Sequence, residues 1–300
     1  MPDMNSIAAF LREQEIPFRM QGDPDIQITG FSSLSRYKPG TLTWAKTNEN
    51  YFACENRDRI ALLIAQESVK ASGNAIYTEV SKQAFFSVLR HFWGTGETIS
   101  APRNLSYIQD GARIGENVSM GIGCYICAEA EIENGVRLGN YVSIECRTHI
   151  GRNSRIGSHT VIGSPGFGFY QDAEHRKYRS EHFGGVWIGE GVEIGDGCSV
   201  NRGTIDDTRI GDYSAIESRL IVPHNADIGA KCVILGQISG SCRVGDDSYI
   251  APGVLVKNQI NIGRHCMVNM NVLVTEDLPD GYIAHKDRRF KFDYYRMFQY

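Results

Sequence analysis

The chain has little that would commit it to a membrane, a nucleic acid or a metal. No run of 18 apolar residues occurs in its 300, so no helical membrane span is expected. Basic and acidic residues nearly balance, 31 against 35, and no cationic surplus points to a nucleic-acid partner. Met1-Pro2-Asp3-Met4 lacks the basic stretch and apolar run of a secretory leader, so the expected location is cytoplasmic. Eight cysteines are present, yet only Cys124 and Cys127 form a CxxC, and no second CxxC or HxxxH completes a metal site. No metal is expected. The thiols read as reduced, small fillers of a repeat.

What is present is a repeat of six. An aliphatic residue recurs at Ile108, Ile114, Met120, Ile126, Ile132, Leu138, Ile144, Ile150, Ile156 and Ile162. The period resumes at Ile188, Ile194 and Val200, runs again from Ile210 to Ile234, and again from Val244 to Val274. Six is neither a helical period nor a strand alternation. It is the hexapeptide signature of a parallel β-helix, in which each hexad supplies a short strand and a turn. Three hexads make a triangular coil, and the aliphatic residue of each points into the prism. Glycine often follows it, which suggests a tight turn. Residues 108–274 hold roughly eight such coils, stabilised by stacking on one another.

Two kinds of irregularity break the rhythm. Residues 163–185, GSPGFGFYQDAEHRKYRSEHFGG, form an excursion too long for a plain turn. Two coils, near 201–210 and 234–244, read as two residues short, and they flank His224. Before the repeat, residues 4–15 read as an amphipathic helix capped by Asn5 or Ser6. Residues 26–34, 40–46, 60–66 and 74–80 read as strands, and 81–93 as a helix. The expected organisation is mainly β: a small α/β domain over 1–100, the β-helix over 101–278, and a short tail over 279–300. The stretch 97–106 is the join.

His224 stands third in the hexad Val222-Pro223-His224-Asn225-Ala226-Asp227. Third positions elsewhere are mostly polar (Glu116, Asn134, Asn140, Arg152, Ser158, Asp196, Asp212, Ser218), so this one faces outward. An exposed surface histidine is the plain reading. A general base is the other, because imidazole titrates near neutrality. Its place between the two irregular coils favours the base.

Four segments carry a resemblance over about residues 4–285: "IQITGFSSL", "VIGSPGFGF", "GGVWIGEGVEIGDGCSVNRGTIDDTRIG" and "IVPHNADIG". Together and in this order they resemble the UDP-3-O-acylglucosamine N-acyltransferases of lipid A synthesis and related nucleotide-amino-sugar N-acyltransferases. The resemblance implies a homotrimer of left-handed β-helices. It also implies an acyl thioester on a phosphopantetheine arm as co-substrate, with no bound cofactor, and a nucleotide amino sugar, UDP- or dTDP-linked, as acceptor. His224 matches the family's catalytic histidine, and Gly240-Ser241 the pair that supplies the oxyanion donor. Trp44 matches a base-stacking phenylalanine. Tyr51 matches a tyrosine only with a one-residue insertion, and Asn48 is a candidate for the family's asparagine, though Thr47 aligns strictly. Asn225 and Gln259 are further candidates for the acceptor site. Phe167, Phe169 and Ser241 are candidates for the donor side, and the basic run His175 to Arg179 could meet donor phosphates.

Two departures bear on the substrate. The lipid A members carry a long C-terminal helix that engages acyl carrier protein, whereas this chain stops at Tyr300. They also carry a second cleft histidine where Gln259 aligns here. The favoured reading is therefore an N-acyltransferase that uses an acyl-CoA on a nucleotide amino sugar for surface polysaccharide. The alternative is the lipid A enzyme itself, fed by 3-hydroxyacyl carrier protein. A zinc hydratase on the same prism would need three converging histidines, which the spacing does not offer. A non-catalytic scaffold would leave His224 without a task.

Overall fold

A computed structural model describes residues 1–94, 105–286 and 288–291, the last four as backbone only. The join at 95–104 and the tail residues 287 and 292–300 lie outside the described residues. The chain divides into two compact units, Met1–Glu97 and Thr98–Tyr300.

In the first unit, α1 (Met4–Glu13) buries Met4, Ile7, Ala8, Phe10 and Leu11 on one face. Its cap is Asp3, not Asn5 or Ser6. The Asp3 carboxylate accepts from the Ser6 amide, and the Ser6 hydroxyl accepts from the Asp3 amide. The strands are β1 (Arg19–Gln21), β2 (Gly30–Phe31), β3 (Thr41–Ala45), β4 (Leu62–Ala65) and β5 (Ala75–Tyr77), in the order β1-β5-β4-β3-β2. Only β1 runs antiparallel to its neighbour. Strand β1 and the short helix α2 (Asn48–Phe52) have no counterpart in the sequence expectations, and the strand expected over 26–34 shrinks to two residues. Helix α3 (Ser81–Trp93) falls where its pattern predicts.

The second unit is a parallel β-solenoid. The hexads' aliphatic residues lie in strands of two to four residues, most of them at the strand's last position, and point inward; Ile126, Ile144, Ile150, Ile162, Ile188 and Ile210 are fully buried. Equivalent strands of successive coils pair in register to build the walls, one of which holds eight parallel strands. Burying each such side chain contributes about 1.5–3 kcal/mol. The core is therefore a column that grows coil by coil. It continues past Val274: Tyr282–His285 extends a wall and Arg288–Lys291 returns antiparallel to it.

A second inward position lies two residues before each aliphatic one. Valine fills it at 136, 142 and 192; serine, threonine and cysteine fill it at others and can donate to a carbonyl of the next coil. Ser154 reaches Gly189 O at 2.8 Å and Ser214 reaches Gly229 O at 2.8 Å. Cys124 does the same to Gly139 O at 3.2 Å, Cys232 to Gly245 O at 3.2 Å and Cys266 to Pro279 O at 3.1 Å. The glycine after the aliphatic residue has a different cause from the one expected. A Cβ on Gly139 would lie 2.5 Å from the Ser158 amide nitrogen, so the next coil's turn passes too close for any side chain. The left-handed residue comes two positions later, at Tyr141, Asn153 and Asn225 among others.

Coil length locates the irregularities. Ile132 pairs with Ile150, the position that three hexads require. Ile188 pairs with Ile210, where three hexads would have reached only Asp206. The coil expected to be short near 201–210 is instead over length by four positions, because the hexad that begins at Val200 is stretched as far as Ile210. The expectation near 234–244 fares differently. Ile228 pairs with Val244, where three hexads would have reached Asp246, and the period restarts at Ile238. The excursion leaves after the strand Val161–Ser164 and forms a hairpin, Phe169–Gln171 against Lys177–Arg179. Val186–Ile188 then enters the next wall, pairing with Thr148–Ile150.

All eight cysteines are free and buried. Burial raises the thiols of Cys124, Cys146, Cys198 and Cys266, and pushes Cys232 up to about 11. An aromatic disulfide reagent at pH 8 is expected to label fewer than one thiol per native chain and all eight after unfolding in guanidinium. Rapid labelling of two would mean that Cys124 and Cys127 are a reactive pair.

Candidate active site

Pro223 and the turn after Ile221–Val222 hold His224 half-buried on the outside of the coil. Burial pushes its pKa below the ordinary 6.5. The ring is thus neutral at pH 7. Asn225, left-handed at φ 58°, folds its amide back beside it. Asn225 Oδ1 accepts the Thr204 amide at 2.7 Å, which leaves Nδ2 to face His224 Nδ1 at 3.1 Å, Thr204 Oγ1 at 3.1 Å and Ser241 Oγ at 3.3 Å. Thr204 belongs to the long coil's insertion. That insertion therefore supplies the acceptor and donor that set the Asn225 amide, and the amide in turn engages the ring. With a donor at Nδ1, the neutral ring carries its proton on Nε2.

The next coil closes the other side. A Cβ on Gly240 would lie 3.0 Å from His224 Nε2, so the glycine backbone sits directly against that nitrogen. The Gly240 amide donates to no acceptor among the described residues, whereas the Ser241 amide is spent on the His224 carbonyl at 3.0 Å. Of the pair Gly240-Ser241, only the first amide is available to a ligand oxygen. Gln259 lies one coil further, exposed, with its amide on the Gly240 carbonyl at 3.0 Å.

The excursion approaches from above. A Cβ on Gly166 would lie 2.5 Å from His224 Cδ2 and 2.8 Å from His182 Nε2. His182, only 7% exposed, meets His224 edge to face, with ring centroids 5.1 Å apart. No signal in the hexad pattern marks His182, because it lies in the non-repeating segment. Arg147 clasps Asp207 at two points, 2.6 and 3.1 Å, and Asp207 accepts the Gly185 amide at 2.7 Å, which ties the insertion to the excursion's base. Phe167 and Phe169 are exposed on the hairpin, edge to face at 4.8 Å. The basic run is engaged within the excursion. Arg176 is held by Asp172 at 2.6 Å and Glu174 at 3.1 Å, Lys177 donates to Gln171, and Arg179 reaches the Gly166 carbonyl at 3.3 Å.

In the first unit the expected base-binding residues separate. Trp44 is half-buried, its indole N–H on Ser81 Oγ at 3.0 Å and its ring stacked on Phe85. Tyr51 is 2% exposed, so it cannot stack on a base. Its hydroxyl is taken up with Ser72, and the exposed aromatic beside it is Phe52. Asn48 has both ends of its amide on backbone, the Lys70 amide at 2.8 Å and the Ser68 carbonyl at 2.9 Å. Asn225, expected at the acceptor site, turns its side-chain amide to the His224 ring. Among the described residues, no group of three or more His, Cys, Asp or Glu side chains is arranged to hold a metal ion, and no helix is long and apolar enough to cross a membrane.

Residues 129–164 match the family model described as bacterial transferase hexapeptide (six repeats). The UDP-3-O-acylglucosamine N-acyltransferase 1 of Legionella pneumophila (strain Paris) is 28% identical over 239 residues, covering 71% of this chain and 66% of that protein. The UDP-3-O-acylglucosamine N-acyltransferase of Coxiella burnetii (strain Dugway 5J108-111) is 27% identical over 245 residues, with 72% and 69% covered. The chain thus spans about two thirds of the length of the curated relatives it matches. Among solved structures, a UDP-N-acetylglucosamine acyltransferase from Bacteroides fragilis 9343 is 25% identical with TM-score 0.55, covering 63% of this chain and 72% of that one.

Replacing Asn225 by Asp keeps the left-handed turn and puts a carboxylate at His224 Nδ1. That stabilises the imidazolium, so the His224 midpoint, followed by NMR of its ring protons, is expected to rise by about one pH unit or more. An unmoved midpoint would mean that the amide does not engage the ring. The chain is a hexapeptide-repeat protein that resembles the UDP-3-O-acylglucosamine N-acyltransferases and their nucleotide-amino-sugar relatives.

Proposed function

We propose that this protein is an N-acyltransferase that moves an acyl group from a phosphopantetheine thioester to the amine of a UDP-linked amino sugar. The observation that carries the proposal is the seating of His224 Nε2 against Gly240, whose amide is open. The sugar nitrogen attacks the thioester carbonyl, and the carbonyl oxygen takes up the negative charge beside the Gly240 amide. A preorganised amide at that oxygen stabilises the transition state by about 3 kcal/mol. His224 accepts the proton lost by the nitrogen. The C–S bond then breaks, and the thiolate leaves with that proton.

The relatives' names favour UDP-3-O-acylglucosamine as acceptor over the surface-polysaccharide reading, and the donor proposed with it is a 3-hydroxyacyl carrier protein in place of an acyl-CoA. Trp44 on the first unit is assigned to the nucleotide base. The hairpin aromatics Phe167 and Phe169, with Ser241, are assigned to the donor, and Gln259 to the acceptor. A homotrimer is proposed as the working assembly.

Asn225 supports a second role for the same ring. With its Nδ2 at His224 Nδ1, the Nε2–H can donate to the thioester oxygen alongside Gly240. To accept a proton at Nε2, the ring must first pass to its other tautomer.

A thiol-release assay tests the reading. Donors would be 3-hydroxyacyl carrier protein, acetyl-CoA and 3-hydroxybutyryl-CoA; acceptors would be UDP-3-O-acylglucosamine and UDP- or dTDP-amino sugars. Turnover is expected with the acyl carrier protein donor and UDP-3-O-acylglucosamine, reduced about a hundredfold or more in His224→Ala. Turnover with a short acyl-CoA and a different amino sugar would restore the surface-polysaccharide reading. Undiminished turnover in His224→Ala would remove the histidine from the chemistry. The lowered pKa sets the sign with pH: a general base keeps kcat/KM level down to below 6.5 and loses it as the ring protonates, whereas a donor stays active through that limb.

A further inference from the structure

We propose that His182 is a positioning residue for His224: its unpaired Nε2 and the Cδ2 edge of the His224 ring flank Gly166, and the lone pair stabilises that ring selectively when it carries the transferred proton. This rests on His224 being the proton acceptor of the reaction proposed above.

Three observations converge. First, His182 Nδ1 lies 2.9 Å from the Ser180 carbonyl, which can only accept. The proton of His182 is therefore on Nδ1, and Nε2 presents a lone pair. Second, that Nε2 is buried with no hydrogen-bond partner. A buried acceptor left unpaired costs about 1–3 kcal/mol, and such atoms persist where something else depends on them. Third, Gly166 brings the two rings together. Its missing Cβ would fall 2.5 Å from His224 Cδ2 and 2.8 Å from His182 Nε2, so only glycine allows the rings to close edge to face at 77°.

The carbon-bound hydrogens of an imidazole become more positive when the ring is protonated. A lone pair facing Cδ2–H gains most from the imidazolium, and so acts chiefly as the amine proton is taken up. The charged groups around the pair are committed elsewhere. Arg179 donates to the Gly166 carbonyl, Arg202 to the carbonyls of Phe183 and Gly184, and Arg147 pairs with Asp207. Glu181 is exposed. The coil on the other side offers Gly240 and Ser241, both uncharged, and Asn225 at Nδ1. His182 is thus the titratable side chain that touches the His224 ring among the described residues.

Two accounts of the pair predict opposite signs. If His182 presents a lone pair, removing it makes His224 harder to protonate. If His182 presents positive charge, removing it makes His224 easier to protonate. The experiment follows the His224 ring by NMR titration in the intact protein, in His182→Phe and in His182→Gln, a readout that needs no substrate. The expected result is a midpoint lower by about half a pH unit in His182→Phe and close to the parent in His182→Gln, which keeps an acceptor. With the best substrate pair of the thiol-release assay, kcat is expected to fall about threefold to fivefold in His182→Phe with KM unchanged. An unchanged or raised midpoint in His182→Phe overturns the proposal, even if acyl transfer is demonstrated in the parent. Should His182→Phe fail to fold, nitrogen-15 shifts of the parent protein decide: a protonated Nε2 on His182 overturns the proposal, and a bare Nε2 beside a protonated Nδ1 supports it. Absence of acyl transfer in the parent would instead count against the proposed function, leaving the titration to report on the contact alone.

Discussion

Everything in the solenoid depends on the vertical register between coils. An inward aliphatic residue is stacked between its counterparts one coil before and one coil after, as Ile132 is between Ile114 and Ile150. The turns obey the same rule. The Glu116 amide is satisfied by Asn134 Oδ1 and the Asn140 amide by Ser158 Oγ, in each case from the coil that follows. Hydrophobic burial and backbone satisfaction thus act along the same axis, and any local change must be absorbed without breaking the stack.

The candidate active site occupies the places where that rule is relaxed. The insertion before Ile210 brings in Thr204, which orients Asn225; the contraction before Val244 seats Gly240 under His224; the excursion delivers Gly166 and His182. Glycine at position 240 also breaks the pattern of side-chain caps, since it can offer no oxygen to the turn before it. All three departures converge on a single imidazole, two of them directly and the insertion through Asn225, while the strands Val186–Ile188 and Asp227–Ile228 stay paired with the coils that follow. The chemistry is built from edits to a scaffold that is otherwise indifferent to it.

The solenoid is legible in the sequence because its period is carried by residues with one physical task, filling the prism. The helix Ser81–Trp93 is legible for a similar reason, a continuous amphipathic stripe. What the pattern cannot convey are contacts between elements with no period. The caps of α1 trade places within one turn because Asp3, Asn5 and Ser6 are all competent. Tyr51 and Phe52 are adjacent aromatics, and only packing decides which is buried. The long coil reads as short because the stretch from Val200 to Ile210 divides equally well into one stretched hexad or two clipped ones. His182 is invisible for the opposite reason: nothing near it repeats. The cysteines are legible as fillers, yet their equivalence with Ser154 and Ser214 needs the carbonyls of the neighbouring coil.

The excursion leaves one wall after Ser164 and the chain enters the next wall at Val186, and the strands on either side of it still pair with the coils before and after. Closing a loop depends only weakly on its length. The segment can therefore lengthen, shorten or be replaced over evolutionary time at little expense to the stack, provided that Gly166 and His182 return to the imidazole. Such an arrangement separates the surroundings of the imidazole from the rest of the excursion: the coils supply His224, Asn225 and Gly240, and the stretch between Gly163 and Gly185, Gly166 and His182 apart, is left free to be rewritten.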